Sequence, residues 1–324
     1  MALVLSGAAT FSPAYGQATG GQSVGAAIGR VASPLAGRIG FAAQDVSGGE
    51  VIAFNGDETF AMASTYKVAI ATAVLDRVDK GELSLDQLVD VPKDMRIVGQ
   101  FGLAETFPHP GLQLSVANLI EVMITESDNT ATDVSMGLAG GPAAVTQNLR
   151  RLGINDFRVD RLTGEILRDV FGLPGKATLE VVTEAYRTRP ELLTIQGDAN
   201  PDFEADPRDH ATPLAMLQLL LAIDSGTAMS AESREFLIGV MSRTRTGAGR
   251  IKGLLPTGTP VAHKTGTTGG VANDVGYITL PDGRRIAIAV FTNSSETPEA
   301  DRDRAIAEIS RMVFDHFYIG QMAK

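Results

Sequence analysis

Ser64 and Lys67 stand three residues apart in Ser64-Thr65-Tyr66-Lys67, a separation that on a helix stacks one side chain almost above the other. A serine hydroxyl is a weak nucleophile until a base takes its proton. A lysine buried near other cations is pushed toward neutrality and can be that base. A serine at a helix N-terminus also lies beside backbone N–H groups able to hold an oxyanion. Two further triplets follow, Ser127-Asp128-Asn129 and Lys264-Thr265-Gly266. Ser127 offers a proton-shuttling hydroxyl and Asn129 an amide for a substrate carbonyl. Lys264 offers positive charge, and Gly266 lets a ligand approach the backbone closely. Each triplet alone fits a plainer role: a helix cap with a surface lysine, a turn, or the solvated end of an edge strand. Together, in this order, they are the parts of an acyl-transferring serine enzyme.

The elements that must position these residues are legible in outline. Alternation over Arg38–Asp45 and over residues 50–55, around Ser47-Gly48-Gly49, predicts two strands and a turn. Val68, Ala71, Val74, Leu75 and Val78 fall on one face of a predicted helix over 64–79, stopped by Gly81. Further helices are predicted over 114–125, 141–152, 177–188, 212–222 and 233–241, with a loop over 200–208. Strands are predicted over 261–265, 274–280 and 285–292, the last two joined by Pro281-Asp282-Gly283, and a closing helix over 300–317. The order is β-hairpin, many helices, β-meander, helix. That order predicts an α+β protein whose two β segments pair into one antiparallel sheet around a helical insertion.

Composition narrows the partners. The chain has 324 residues, 44% hydrophobic and 20% charged, with a formal net charge of −10. That charge argues against nucleic acid or an anionic membrane as the main partner, though a local basic pocket can still take a small anion. Cysteine is absent, which excludes disulfides and thiolate chemistry. His109, His210, His263 and His316 show no metal-ligand spacing, so neither metal nor cofactor is expected. No run is long and apolar enough to span a membrane. Residues 1–18 read either as a signal remnant or as an N-terminal tail. A signal would place the protein in the periplasm or outside the cell.

The three motifs together resemble the penicillin-recognising serine enzymes, most closely class A β-lactamases, over nearly the whole chain. Thr246-Gly247 followed by Arg250-Ile251-Lys252-Gly253-Leu254-Leu255-Pro256 is similar to the segment leading into that family's Lys-Thr-Gly strand, and Asn273-Asp274 to the start of the next. Asp160-Arg161 resembles the entrance of its ω-loop, and Arg208-Asp209 with Thr212-Pro213 the exit. The resemblance implies a five-stranded antiparallel sheet with flanking helices plus an all-helical lobe. Residues 1–22 would be remnant or tail, and 23–324 one domain of two lobes. The α/β lobe would span about 23–62 and 242–324, and the helical lobe about 63–241. It implies a monomer acting on a β-lactam or a peptidoglycan-like substrate. Ser64 would be acylated, Lys67 its base, and Ser127 the proton donor to the leaving nitrogen. Asn129 would hold the acylamino group. Lys264 and Thr265, helped by Arg250, would bind the substrate carboxylate. The N–H groups of Ser64 and Thr267 would form the oxyanion hole beside Gly266. Arg161 and Asp209 would pair across the ω-loop.

The chain departs from the family where deacylation is decided. The family's water-activating glutamate stands two residues after the ω-loop arginine, and here that position is Thr163. Glu165 could serve if the loop bulges, with Asp169 in place of the family's asparagine; otherwise Glu165 is an ordinary acid. The ω-loop, about 161–209, is also longer than the family's and carries Glu184, Glu191 and Asp198 as other candidate bases. Two further readings stay open: a related serine peptidase or esterase, and a β-lactam binder that deacylates slowly.

Overall fold

In a computed structural model the chain is described over residues 19–99, 102–193, 199–293 and 296–322. Five strands form one antiparallel sheet in the order β2-β1-β9-β8-β7. These are β1 (Arg38–Asp45), β2 (Val51–Phe54), β7 (Val261–Thr268), β8 (Val271–Thr279) and β9 (Arg285–Asn293). The N-terminal hairpin joins the C-terminal meander through β1 and β9, with Phe41 opposite Val290. Two short ladders complete the β structure, β3 (Phe60–Ala61) with β6 (His210–Ala211) and β4 (Leu88–Asp90) with β5 (Gln113–Ser115).

The alternation of β9 shows why the sheet needs cover on both faces. Ala287, Ala289 and Phe291 face one buried cluster, and Ile286, Ile288 and Val290 face another. The second face is covered by α1 (Thr19–Ala32) and α12 (Glu299–Met322), through Ile28, Ile306, Ile309 and Val313. The first face meets the helical lobe: α2 (Lys67–Asp79), α3 (Leu103–Thr106), α4 (Val116–Thr125), α5 (Asn129–Leu138), α6 (Pro142–Arg151), α10 (Pro213–Asp224) and α11 (Ala231–Ser242). α2 is buried nearly all round from Lys67 to Leu75, so it runs through the middle of this lobe.

Between Arg161 and Asp209 the chain forms α7 (Thr163–Phe171), α8 (Leu179–Thr188) and α9 (Pro201–Ala205). Leu173, Ala177, Val182, Ala185 and Leu192 pack with Ile97 into a small core of their own. The sequence predicts no helix at α1, α5 or α7, and expects a loop where α9 forms; α1 also begins inside the stretch expected as a tail. α5 is rich in buried small polar residues (Thr130, Thr132, Ser135), so its apolar periodicity is weak. Packing between α2 and α4 makes it helical instead.

Arg161 gathers the ends of this segment. Its Nε donates to Asp209 Oδ2 at 2.6 Å, and its Nη1 to Asp169 at 2.7 Å and Asp206 at 3.2 Å. The side chains of Arg161 and Asp209 are only 5% and 4% exposed, so removing one leaves the other's charge buried. Arg161→Leu is predicted to lower unfolding free energy by about 3–5 kcal/mol. Urea titration checks this; an unchanged midpoint contradicts the assignment.

Candidate active site

Ser64 sits in a 3-10 turn, Ala63–Tyr66, that leads directly into α2. Two features hold it there. Asn273 on β8 donates Nδ2 to the carbonyls of Ala61 and Met62 at 2.9 and 3.0 Å, tying the approach to Ser64 onto the sheet. Ala63 takes a left-handed φ of 45°, a conformation that costs a non-glycine residue of order 1–3 kcal/mol and recurs at functional sites. Gly266 on β7 packs against the same turn. A Cβ there would lie 2.6 Å from Met62 O and 2.9 Å from Ser64 N, so only glycine lets the strand come this close.

Lys67 and Lys264 are both fully buried. Lys67 Nζ donates to Ser127 O at 2.7 Å, Ser127 Oγ at 3.2 Å and Asn129 Oδ1 at 2.9 Å. Lys264 Nζ donates to the same Ser127 Oγ at 2.9 Å and to Thr265 O at 2.7 Å. Ser127 reaches this position through a left-handed φ of 59° between α4 and α5. Asp128 fixes the turn, its carboxylate accepting from Ala131 N at 2.5 Å and Leu103 N at 2.6 Å. Burial lowers the Lys67 pKa to about 7, against the attraction of Asp128 and Asp133. Burial, and then the neighbouring Lys67, push Lys264 well below the usual lysine range. The described hydrogen bonds of Lys67 go to Ser127 and Asn129, not to Ser64 Oγ. A neutral amine keeps two donors, so losing a proton frees a lone pair where the third bond was.

Asn129 Nδ2 donates to Val98 O at 2.7 Å, which with the Lys67 contact fixes the amide's orientation. Thr265 Oγ1 pairs with Thr246 Oγ1 at 2.6 Å. Arg250 differs from the expectation that it helps bind a carboxylate. Nε donates to Asp303, Nη1 to the carbonyls of Gly266 and Asn273, and Nη2 to Thr267 Oγ1 and Glu299. All five guanidinium donors are thereby engaged within the protein, and Arg250 meets the site through Gly266 O and Thr267 Oγ1.

A cavity opens beside Ser64, bounded by Tyr66, Asn129, Thr163, Ile166 and Thr267 among others. Glu165 is not among the residues around it. Its Oε2 accepts from Leu162 N at 2.9 Å, capping the start of α7. This corrects the expectation that Glu165 faces Ser64: a helix turn, not a bulge, follows Arg161, and it carries Glu165 round to the backbone of Leu162. α7 puts Thr163, Ile166 and Val170 toward the cavity instead. Asp169 pairs with Arg161 and Arg168. Glu184 pairs with Arg187 on an exposed face. Asp198 lies outside the described residues. Asp209 borders the cavity, but its Oδ1 accepts from Asp160 N and Arg161 N and its Oδ2 from Arg161 Nε.

Sequence reasoning passed over Asp133 and Tyr66. Asp133 is buried and accepts from Thr163 N at 2.6 Å and Gly164 N at 3.1 Å, capping α7 from α5. Tyr66 OH lies 2.7 Å from Thr163 Oγ1. Lys67 and Tyr66 being neighbours in sequence is the one available signal, since a helix turn that buries one carries the other inward. Among the described residues no group of three or more His, Cys, Asp or Glu could hold a metal ion.

Comparison with known proteins agrees with this geometry. The profile of the beta-lactamase enzyme family matches residues 23–317. The chain is 31% identical over 276 residues to a beta-lactamase of Bacteroides uniformis, covering 82% of each. It is 31% identical over 289 residues to beta-lactamase VEB-1 of Pseudomonas aeruginosa, covering 86% of this chain and 85% of that one. A beta-lactamase crystal structure from Chitinophaga pinensis superposes with a TM-score of 0.75 at 30% identity, over 91% of this chain and 99% of that one. An ancestral class A beta-lactamase gives a TM-score of 0.74 at 34% identity, over 91% of this chain and all of that one. With a serine-bearing turn, two buried lysines and a five-stranded sheet arranged in this way, the chain belongs to the β-lactamase enzyme family, in its class A serine branch.

Proposed function

We propose that this protein hydrolyses the amide bond of β-lactams through an ester on Ser64, with the following division of labour. Lys67, in its neutral form, takes the Ser64 proton as Oγ attacks the carbonyl carbon. The N–H groups of Ser64 and Thr267 receive the developing oxyanion. The ring C–N bond then breaks, the nitrogen takes its proton from Ser127 Oγ, and Lys67, which contacts Ser127 Oγ as Lys264 does, returns to Ser127 the proton it took from Ser64. Lys264 and the Thr265 backbone draw the substrate carboxylate, and Asn129 holds the acylamino group. The observation that carries this reading is the shared contact of two buried lysines with Ser127 Oγ, next to the Ser64 cavity. No helix among the described residues is long and apolar enough to cross a membrane. A periplasmic or secreted monomer suits such an enzyme, because its substrates act on the cell wall.

Three outcomes test the assignment. Incubation with a penicillin should add one acyl mass to the wild type and none to Ser64→Ala; an adduct of normal stoichiometry in that variant removes Ser64 from the mechanism. The pre-steady-state acylation rate should rise with pH through about 7, since neutral Lys67 is the active form and its pKa is lowered to about 7. A flat rate from pH 5.5 to 8.5 would exclude Lys67 as the base. Gly266→Ala should fold yet acylate at least about a hundredfold more slowly, because a Cβ displaces Ser64 N from the oxyanion site. Circular dichroism with stopped-flow hydrolysis separates those two effects.

A further inference from the structure

Hydrolysis of the Ser64 ester needs a water molecule and an acceptor for its proton. Three of the carboxylates near the site are engaged by other partners. Glu165 caps α7, Asp169 pairs with Arg161, Arg168 and Arg208, and Asp209 accepts three N–H bonds from Asp160 and Arg161. The polar group that α7 presents to the Ser64 cavity is the Thr163 hydroxyl.

That hydroxyl has two protein neighbours, Tyr66 and Asp133. Tyr66 is buried, and burial together with the nearby Asp133 raises its pKa well above the usual phenol range. The phenol therefore stays protonated, and its OH lies 2.7 Å from Thr163 Oγ1, to which it can donate. Asp133 accepts the backbone N–H groups of Thr163 at 2.6 Å and Gly164 at 3.1 Å, and the Thr163 hydroxyl lies near enough to lower its pKa. Desolvation raises the Asp133 pKa, which makes it a stronger proton acceptor than an exposed aspartate. A hydroxyl has one donor and two acceptor positions. With the proton turned to Asp133 and one lone pair taken by Tyr66, one lone pair is left for water in the cavity.

We propose, on the reading that Ser64 is acylated, that the Asp133 carboxylate, acting through the Thr163 hydroxyl, accepts the hydrolytic water's proton, with Tyr66 fixing the hydroxyl's direction. The water oxygen bonds to the acyl carbon. Its proton passes to Thr163 Oγ1 as the Thr163 proton passes to Asp133. When the tetrahedral intermediate collapses, the C–O bond to Ser64 breaks, and the stored proton returns through Thr163 to the departing Ser64 Oγ. Thr163 is the catalytic residue of this step; Asp133 and Tyr66 act through it.

The test is stopped-flow hydrolysis of a chromogenic cephalosporin together with time-resolved intact mass. Thr163→Val, nearly the same shape without the hydroxyl, should acylate at the wild-type rate. It should deacylate at least about a hundredfold more slowly, so that the Ser64 adduct accumulates. Thr163→Ser should keep deacylation within several-fold of wild type, a rescue that a purely structural role for Thr163 does not predict. Wild-type deacylation in mixed H2O and D2O should give a curved proton inventory, since two protons move together. Wild-type turnover in Thr163→Val, a straight inventory, or accumulation of the adduct in Glu165→Gln instead would each overturn the relay. A wild type that forms no adduct with any β-lactam and hydrolyses none would remove the acyl-enzyme reading itself, whereas the other outcomes leave it standing.

Discussion

Two lysine side chains, both fully buried, direct Nζ at one hydroxyl, Ser127 Oγ, from 3.2 and 2.9 Å. Placing two cations in such a position is unfavourable, and the protein relieves it in the only ways physics allows. It surrounds each amine with oxygen acceptors, and it lets burial lower their proton affinity. The result is chemically useful. A lysine whose pKa lies near 7 takes and returns a proton with little cost at neutral pH. The nearby Asp128 and Asp133 moderate the shift, so Lys67 is poised instead of permanently neutral.

The fold exists, from the site's point of view, to make that burial stable. Lys67 comes from the central helix α2, Ser127 from the turn between α4 and α5, and Lys264 from the edge strand β7. The three meet only because the sheet and the helical lobe pack on a common apolar face. Asn273 and Gly266 set the distance between the strands and the Ser64 turn, one by hydrogen bonds and the other by the absence of a Cβ. The strained backbone at Ala63 and Ser127 is the local cost of aiming two hydroxyls at one pocket.

The segment from Arg161 to Asp209 is held both at its ends and from within. Its ends are joined by a buried ion pair, and its interior has its own small core. Asp133 and Glu165 divide the start of α7 between them. Asp133 takes the N–H groups of Thr163 and Gly164, and Glu165 takes that of Leu162. This capping directs Thr163 inward and leaves Glu165 turned to its own helix. The side chain turned to the Ser64 cavity from the start of α7 is thus a hydroxyl.

Much of the molecule can be read from residue order. The strand alternation of β1 and β9, the periodic face of α2 and the motif series up to Lys264-Thr265-Gly266 identify the fold and the family, because these signals depend on short spacings and on side-chain type. The direction of Glu165 does not. Nothing in Leu162-Thr163-Gly164-Glu165 separates a bulged loop from a capped helix; the choice is made by Asp133, thirty residues earlier, supplying the acceptors for the first turn. Arg250 is similar: sequence marks it as a cation near the site, but five partners from three segments engage it before a ligand can. Local order determines which chemistry is available. Which group is free to perform it depends on hydrogen-bond partners that only folding brings together, since each donor or acceptor satisfied within the protein is withdrawn from the substrate.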